Sequence, residues 1–445
     1  MNSILAKGRR QIARLPFPLL TLATALAAFG CYTCMYAFRK AFTAGTYDET
    51  RVWGVDYKVW LVIAQVFGYM LSKFYGIRFI AEKGHQSRAI KIISLIGISW
   101  LALLGFAMVP NPYNIIFLFI NGLPLGIIWG LVFSYLEGRR TTEFLGAIMS
   151  ISLVFASGFV KTIARIVMDS WHTNEYWMPF LTGLLFVIPL LLCTLFLELV
   201  PPPDTKDQLL RTARAPMNAI ERKRFLLTYL PGLIFTVIAY IIITILRDVR
   251  DNFEVEIWAD VGITNKHIYA RIDSIIAVLV LIPMGLLILV KNNLKAFTLI
   301  HLIIIGGCFL VAFSTWMFQL KLINNVYWMS LTGLGIYLAY IPYNAIFFER
   351  LLATFKFAGN IGFIMYVADS SGYLGSVAVM ATRELSFIKL SWGHFFIQAA
   401  WTTTLLAGIL ATLSLIYFRN KALSVQKKEI GDFILPDNST QTSII

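Results

Sequence analysis

The chain has little charge for its length. Of its 445 residues, only 14% are Asp, Glu, Lys or Arg, whereas 58% are hydrophobic. A water-soluble domain of this size would have too little polar surface to cover itself. The composition therefore excludes a soluble globular protein and indicates that lipid is the solvent.

Histidine and cysteine are also scarce, and their spacing argues against metal or redox chemistry. The five histidines show no pair at metal-ligand spacing. They are His85, His172, His267, His301 and His394. Cys31 and Cys34 form a C-x-x-C pattern, but it lies within an apolar run, where we interpret both thiols as packing groups. No Walker or nucleophile-elbow pattern occurs. We therefore expect no enzyme activity, no metal and no cofactor.

Long apolar runs, in contrast, are abundant. A membrane span needs roughly 20 mostly apolar residues to cross ~30 Å of hydrocarbon. We place twelve such runs, numbered spans 1 to 12, with cores at 16–40, 59–80, 92–109, 115–136, 145–167, 177–200, 225–246, 272–290, 296–317, 326–348, 357–380 and 394–418. The first run is too long for the h-region of a signal peptide, so we interpret it as an uncleaved span. The sequence predicts an all-α polytopic membrane protein without an extramembrane domain.

The net charge of +14 is explained by the orientation of the chain in the membrane and does not indicate nucleic-acid binding. With the N-terminus in the cytoplasm, 23 of the 38 Lys and Arg residues fall in cytoplasmic segments and 9 in external ones. This excess is the positive-inside bias that sets topology. We predict a multi-pass protein of the plasma (bacterial inner) membrane, with both termini cytoplasmic, membrane lipids around it and no nucleic-acid partner.

A long basic cytoplasmic segment divides the spans into two groups of six. We divide the chain into an N-terminal half (1–197), a central loop (198–224), a C-terminal half (225–420) and a cytoplasmic tail (421–445). Many transporters duplicate a half and bind their solute where the halves meet. The acidic external segment 248–271 is long enough for a helical extension of span 7.

Three short matches support an internal repeat. Tyr32 and Arg39 in span 1 have the same spacing as Tyr240 and Arg247 in span 7. Spans 4 and 10 both end in Glu and Arg, and spans 5 and 11 both contain a Ser-Gly-aromatic sequence, at 157–159 and 371–373. Each pair falls at an equivalent place in the two halves. The sequence therefore predicts two related six-helix halves.

Ionisable side chains inside the spans are the first functional candidates, because each costs at least ~2.5 kcal/mol at the bilayer centre. Lys73 lies about two-thirds of the way along span 2, where it either faces a central cavity or snorkels toward the surface. Arg39 and Arg247 lie near the external ends of their runs, where each either anchors the helix or binds a solute. These three residues are the candidate cations of a binding site.

Spans 5 and 11 add further charges. Lys161 and Arg165 are four residues apart, so they share one face of span 5. Asp369 lies near the middle of span 11, where it either pairs with a cation or carries a proton. We take these three as candidates for coupling or charge pairing. The glycines of spans 4 and 11 we interpret as helix-packing positions; they are Gly122, Gly126, Gly372 and Gly375.

Three stretches resemble the major facilitator superfamily, and within it the organophosphate:phosphate antiporter branch. They are 36–42 (YAFRKAF), 68–74 (GYMLSKF) and 245–248 (ILRD). The resemblance implies a major facilitator fold, in which Arg39 and Arg247 bind a phosphate group from opposite halves and Lys73 helps line the pocket. Such a role suits the two-pronged hydrogen bonding of guanidinium groups. We add Tyr32, Tyr36 and Tyr240 as substrate-binding candidates.

The chain departs from that branch in two places. The pocket histidine of the antiporters has no counterpart in span 5, where Phe155 and Ala156 are the nearest equivalents. The superfamily's loop signature after span 2 survives only loosely, as Gly76, Glu82, Lys83, Gly84 and Arg88. The chain is also similar to an uncharacterised bacterial family within the superfamily.

Together these features predict a secondary active transporter that works by alternating access. We expect its substrate to be a small organic anion, phosphorylated or carboxylated, and we expect the protein to be a monomer. Three alternatives stay open: a proton-coupled symporter of a neutral solute, a membrane-embedded enzyme, and a membrane protein that transports nothing.

Overall fold

The computed structural model describes residues 2–47, 50–81, 88–204, 207, 219–355, 362–385 and 390–434. Among these residues, ten helices have the length and hydropathy of a membrane span. Two more helices, Tyr57–Ala81 and Gly362–Leu385, contain 25 and 24 residues and pack into the same bundle. The predicted fold class, an all-α polytopic membrane protein, is confirmed.

The N-terminal half contains spans 1 to 6. A short helix, Asn2–Ile12, precedes them, and a two-stranded hairpin, Arg51–Val52 with Val55–Asp56, joins spans 1 and 2. The spans are Phe17–Lys40 followed by a 3₁₀ turn at Ala41–Ala44, Tyr57–Ala81, Arg88–Met108, Ile115–Leu125 with Ile128–Phe133, Thr142–Trp171 and Met178–Leu199.

The C-terminal half contains spans 7 to 12. Span 7 ends at Asn252, and a separate short helix, Glu254–Asp260, follows it, so part of the acidic segment is helical but not as a continuation of span 7. The spans are Ala219–Asn252, Ile268–Ile288, Asn293–Gln319, Asn325–Pro342 continuing through a π-helical turn at Tyr343–Phe347 to Phe348–Thr354, Gly362–Leu385 and Trp392–Ile434. We call the end of the bundle that carries Lys40 and Asn252 the external end, after the predicted orientation.

Several helices are longer than the apolar cores that predicted them. Span 7 begins at Ala219, inside the segment 198–224 that we predicted as a loop, and much of that segment lies outside the described residues. Span 12 continues to Ile434, into the predicted tail. Hydropathy detects only the part of a helix that crosses lipid, whereas helix propensity carries it past the membrane surface.

Prolines interrupt two of the helices near the centre of the bundle. Span 4 contains Pro124 and loses helical geometry just after it, before resuming at Ile128. Span 10 contains Pro342, and the π-helical turn follows directly. Proline cannot donate a backbone hydrogen bond and often accompanies a helix break, although Pro189, Pro231 and Pro283 lie within continuous helices.

Glycines allow close helix contacts, as predicted for spans 4 and 11. A Cβ on Gly122 would lie 2.2 Å from the carbonyl oxygen of Gln65, so spans 4 and 2 touch through their backbones. Gly126 lies against Tyr69 of span 2 in the same way. In span 11, Gly372 and Gly375 pack against Thr244 and Ile245 of span 7.

The two halves meet through spans 2 and 11 and through spans 5 and 8. At the second contact, a Cβ on Gly158 of span 5 would lie 2.4 Å from the carbonyl oxygen of Tyr269 in span 8. Gly158 therefore packs across the halves, whereas its sequence match Gly372 packs within one half. The two Ser-Gly sequences are equivalent in position but not in contacts.

Candidate functional site

The external end of span 1 is held in place by side-chain amides from neighbouring spans. The last carbonyl groups of a helix lack partners within that helix. Asn121 of span 4 donates to the carbonyl of Phe38 at 2.9 Å, and Gln65 of span 2 donates to the carbonyl of Arg39. Asn121 also accepts from Gln65 and bonds Ser99 of span 3. Three spans of the N-terminal half therefore fix the backbone of Arg39.

The guanidinium group of Arg39 lies buried between the two halves, with 1% of the residue exposed, at a place that we call the cationic centre. It lies 3.7 Å from the ring centre of Tyr69, 5.7 Å from that of Tyr373 and 5.8 Å from that of Tyr36. Its Nε and Nη2 are buried without a hydrogen-bond partner. Among the described residues, no carboxylate forms an ion pair with it. The aromatic rings therefore offset only part of the cost of burying this charge.

Arg247 approaches the same place from the C-terminal half. Its guanidinium lies 4.5 Å from the ring centre of Tyr340 and 5.7 Å from that of Tyr373. Its contacts with Asp248 and with the Tyr373 hydroxyl are both long, at 3.4 Å, and its Nε is buried without a partner. The two arginines thus lie at the same distance from one ring, each from its own half.

Lys73 and Asp369 form an ion pair between spans 2 and 11, and so between the two halves. The Lys73 ammonium lies 4.9 Å from the ring centres of both Tyr69 and Tyr373. The hydroxyl of Tyr240 donates to the other oxygen of Asp369 at 2.9 Å. Lys73 therefore does not extend toward the membrane surface. Its ammonium is paired with Asp369 and lies near the same two rings as Arg39.

The tyrosine candidates differ in their contacts. Tyr36 has a buried hydroxyl without a partner, within one helical turn of Arg39. Tyr240 stacks nearly parallel on Tyr340, with ring centres 5.6 Å apart. Tyr32 packs edge-on against Trp129 of span 4, at 4.9 Å. Tyr36 and Tyr240 consequently border the cationic centre, and Tyr32 lies one turn further along span 1.

Lys161 and Arg165 lie away from this centre, near the external end. Lys161 is fully buried and binds Glu254 at 2.7 Å and Asp251 at 3.6 Å, both from the C-terminal half. Arg165 is half-buried and lines a groove with Asp169 and Lys266. Although Lys161 and Arg165 share one face of span 5, the cation that pairs with Asp369 is Lys73.

A network of buried charges surrounds Lys161, and sequence patterns did not predict it. Lys40 binds Asp251 at 2.9 Å and Asn252 at 2.6 Å. Arg250 binds Asp273 of span 8 at 3.0 Å. Sequence patterns marked the acidic residues only as an external segment, because their partners come from distant helices. Tyr69, Tyr373, Gln65 and Asn121 were likewise not singled out as site residues.

The residues that loosely match the superfamily's loop signature fall partly outside the described residues. Glu82, Lys83 and Gly84 lie outside the described residues, and Gly76 lies in the last part of span 2. Arg88 begins span 3, donates to the carbonyl of Ser134 at 2.8 Å and lies 4.0 Å from the ring centre of Tyr135. Arg88 therefore connects span 3 to the end of span 4 that lies opposite the external end.

Comparison with known proteins identifies the fold. The model of a family of unknown function, DUF5690, matches residues 41–421. No curated protein matches the chain in sequence. Among solved structures, a D-xylose-proton symporter has a TM-score of 0.58 at 15% identity and covers 90% of this chain and 96% of its own.

Two further structures agree with the first. The xylose transporter XylE from E. coli, in an inward open conformation, has a TM-score of 0.57 at 13% identity, covering 88% of this chain and 94% of that one. A mutant of the nucleoside transporter NupG has a TM-score of 0.56 at 14% identity, covering 88% and 99%. Identities this low show a shared fold, the major facilitator fold. None of these three is an organophosphate antiporter, so that narrower resemblance stays a prediction.

Proposed function

The chain belongs to the DUF5690 family, and we propose that it is a secondary transporter that moves a small organic anion across the plasma membrane by alternating access. Arg39 and Arg247 are the anion-binding groups, one from each half. Lys73, Tyr36 and Tyr240 complete the lining of the site. Both termini face the cytoplasm, in keeping with the distribution of Lys and Arg.

The observation that carries this proposal is the unpaired guanidinium of Arg39. It is buried, two of its nitrogen atoms have no acceptor, and no carboxylate pairs with it among the described residues. A buried charge without a partner is strongly destabilising. A phosphate or carboxylate group would supply both the missing acceptors and the missing charge.

The charges around the centre support the same conclusion. Three cations meet there, whereas two carboxylates compensate them, Asp369 on Lys73 and Asp248 on Arg247. One positive charge is left over when every group is ionised. Because the cations come from both halves, a bound anion contacts both halves at once, and its differential contacts with the two end states bias their equilibrium.

Substitution of the two arginines tests this proposal. We expect Arg39→Ala and Arg247→Ala proteins to reach the membrane and to lose uptake. Each removes charge-assisted hydrogen bonds worth about 1.5–3 kcal/mol, or roughly ten- to a hundredfold in affinity. Counterflow of radiolabelled organic phosphates and carboxylates into proteoliposomes measures the loss.

The matched control is Arg165→Ala, which removes a half-buried arginine that lies outside the centre. We expect it to retain anion counterflow. Wild-type counterflow rates in both central variants would overturn the assignment of the anion site.

A proton-coupled symporter of a neutral solute is the second candidate. Its support is the likeness to a D-xylose-proton symporter and a nucleoside transporter, together with the buried carboxylate of Asp369. In that case uptake of sugars or nucleosides would follow a pH gradient, and Asp369→Asn would abolish the dependence. Anion counterflow without any response to a pH gradient would exclude this alternative.

A further inference from the structure

The centre of the bundle already contains an anionic group of its own. Asp369 lies on Lys73, and both residues are buried. Lys73 lies near the rings of Tyr69 and Tyr373, and the guanidinium of Arg39 lies near the same two rings. The carboxylate of Asp369 is therefore already paired with Lys73, one of the cations that face the anion site.

We propose that Asp369 is an internal anion that competes with the transported solute for Lys73. In the empty protein Asp369 neutralises Lys73, and an arriving anion that binds Arg39 also takes Lys73 from Asp369. This inference rests on the proposed function, since it concerns how the same site exchanges its ligands.

Asp369 has a second partner that makes its release possible. The hydroxyl of Tyr240, in the same half as Asp369, donates to it at 2.9 Å. Asn344 in turn donates to that hydroxyl at 3.1 Å, which keeps Tyr240 oriented. When Lys73 turns to a solute, Asp369 therefore keeps a hydrogen bond within its own half. A carboxylate with no second partner would be left buried and unpaired, at high cost.

The location of the pair gives the competition a mechanical consequence. Lys73 belongs to span 2 and Asp369 to span 11, so their ion pair ties the two halves together at the centre. When Lys73 binds the solute instead, the ion pair with Asp369 breaks. Contacts of both halves with the bound ligand then replace it. The empty protein is therefore held by its own carboxylate, and binding of the anion releases it.

The test measures binding of inorganic phosphate to the purified full-length protein by calorimetry, with Asp369→Asn as the central variant. Because the competing charge is removed, we expect apparent phosphate affinity to rise about tenfold. A purely structural role for Asp369 would lower affinity or stability, but it would not raise affinity. Asp169→Asn, which removes an exposed acid at the external end, should leave phosphate affinity unchanged.

A second pair of variants keeps the inference testable if Asp369→Asn folds poorly with Lys73 unpaired. In the Lys73→Met background nothing remains to compete for, so adding Asp369→Asn should change phosphate affinity by less than about twofold. A strong effect of Asp369→Asn in that background would overturn the inference. So would wild-type or weaker phosphate affinity in a folded Asp369→Asn single variant.

Failure of the proposed function has a different signature. If phosphate binds neither the wild-type protein nor Asp369→Asn, and organic anions also fail to bind, the anion site itself is wrong. If wild-type binding depends on Arg39 but does not respond to Asp369, only the competition is wrong.

Discussion

Asn121 shows how a single uncharged side chain positions a charged one. Its amide donates to the carbonyl of Phe38 and to Ser99, and its oxygen accepts from Gln65, which in turn holds the carbonyl of Arg39. All of these groups are buried, so each lost bond leaves a polar atom without water to replace it. The geometry of the proposed anion site therefore depends on a residue that contacts Arg39 only through its backbone and through Gln65.

We accordingly predict that Asn121→Ala lowers both stability and anion affinity. Leaving the carbonyl of Phe38 unsatisfied should cost about 1–3 kcal/mol, and Arg39 should lose its fixed position over Tyr69. Thermal unfolding in detergent and the concentration dependence of anion counterflow measure the two effects. Thr402→Ala, which removes an exposed hydroxyl bonded only within its own helix, should change neither. Unchanged anion affinity in a destabilised Asn121→Ala protein would limit the role of Asn121 to folding.

The charged residues of the centre could be identified from sequence, but their partners could not. Arg39, Lys73 and Arg247 stand out because charge within an apolar run is costly. Tyr69 and Tyr373 do not stand out, since aromatic residues are common in spans. The ion pair of Lys73 with Asp369 joins residues almost 300 positions apart, and no periodicity in the chain encodes such a contact.

At the scale of helices, the contact between spans 2 and 4 depends on the absence of side chains. Gly122 faces the carbonyl oxygen of Gln65, and Gly68 faces that of Phe119, where a Cβ would lie at 2.3 Å. Backbones cannot give way as a flexible side chain can, so a methyl group at either position must push the helices apart. Gln65 lies at this contact and donates to the carbonyl of Arg39, so the distance between spans 2 and 4 also affects the end of span 1.

We predict that Gly122→Ala lowers the thermal stability of the purified protein by several degrees, because the extra methyl overpacks a backbone contact at a cost of about 1–3 kcal/mol. Gly97→Ala is the matched control. A Cβ at Gly97 would meet nothing within 4 Å, and alanine favours a helix over glycine. The control should therefore unfold at the same temperature or slightly higher. Equal melting temperatures for both variants would contradict the close contact of spans 2 and 4.

Helices were predictable by number and approximate place, but not by length or irregularity. Apolar runs mark the part of each helix that lies in lipid, so each predicted core overlaps a described helix, and ten of these helices have the length and hydropathy of a span. The π-helical turn at Tyr343–Phe347 and the extension of span 12 to Ile434 were not. Pro342 signals some break in span 10, but the form of the break depends on the neighbouring helices.

Over the whole molecule, the two halves differ in charge where they meet at the external end. In the buried ion pairs there, the described N-terminal half supplies the lysines and the C-terminal half the carboxylates. The pairs are Lys40 with Asp251, Lys161 with Asp251 and Glu254, and Lys58 with Glu256. A repeat in the sequence predicts similar halves, so it could not reveal this complementarity. Opening this end would separate the lysines from the acids.

Lys161 is the residue at which this separation of lysines from acids can be tested. Lys161 is fully buried between the halves and bonded to Glu254, so Lys161→Met removes a partner that matters mainly while the external end is closed. Glu254 keeps a longer contact with Arg250, at 3.4 Å, and Asp251 keeps Lys40, so the loss of Lys161 costs about 1.5–3 kcal/mol. Water solvates Glu254 instead once the end opens. We therefore expect Lys161→Met to shift the population by roughly ten- to a hundredfold toward the state that is open at the external end.

Double electron-electron resonance between nitroxides at Tyr113→Cys and Leu322→Cys measures this shift, with the four native cysteines replaced. Both labelled positions are exposed, and they lie on the external loops of opposite halves. A longer distance should become dominant in Lys161→Met. Lys266→Met breaks another pair between the halves at the same end, but its lysine and Asp169 are 34% and 57% exposed, so the loss should be about 0–1 kcal/mol. An unchanged distance distribution in Lys161→Met would show that the buried network does not hold this end closed.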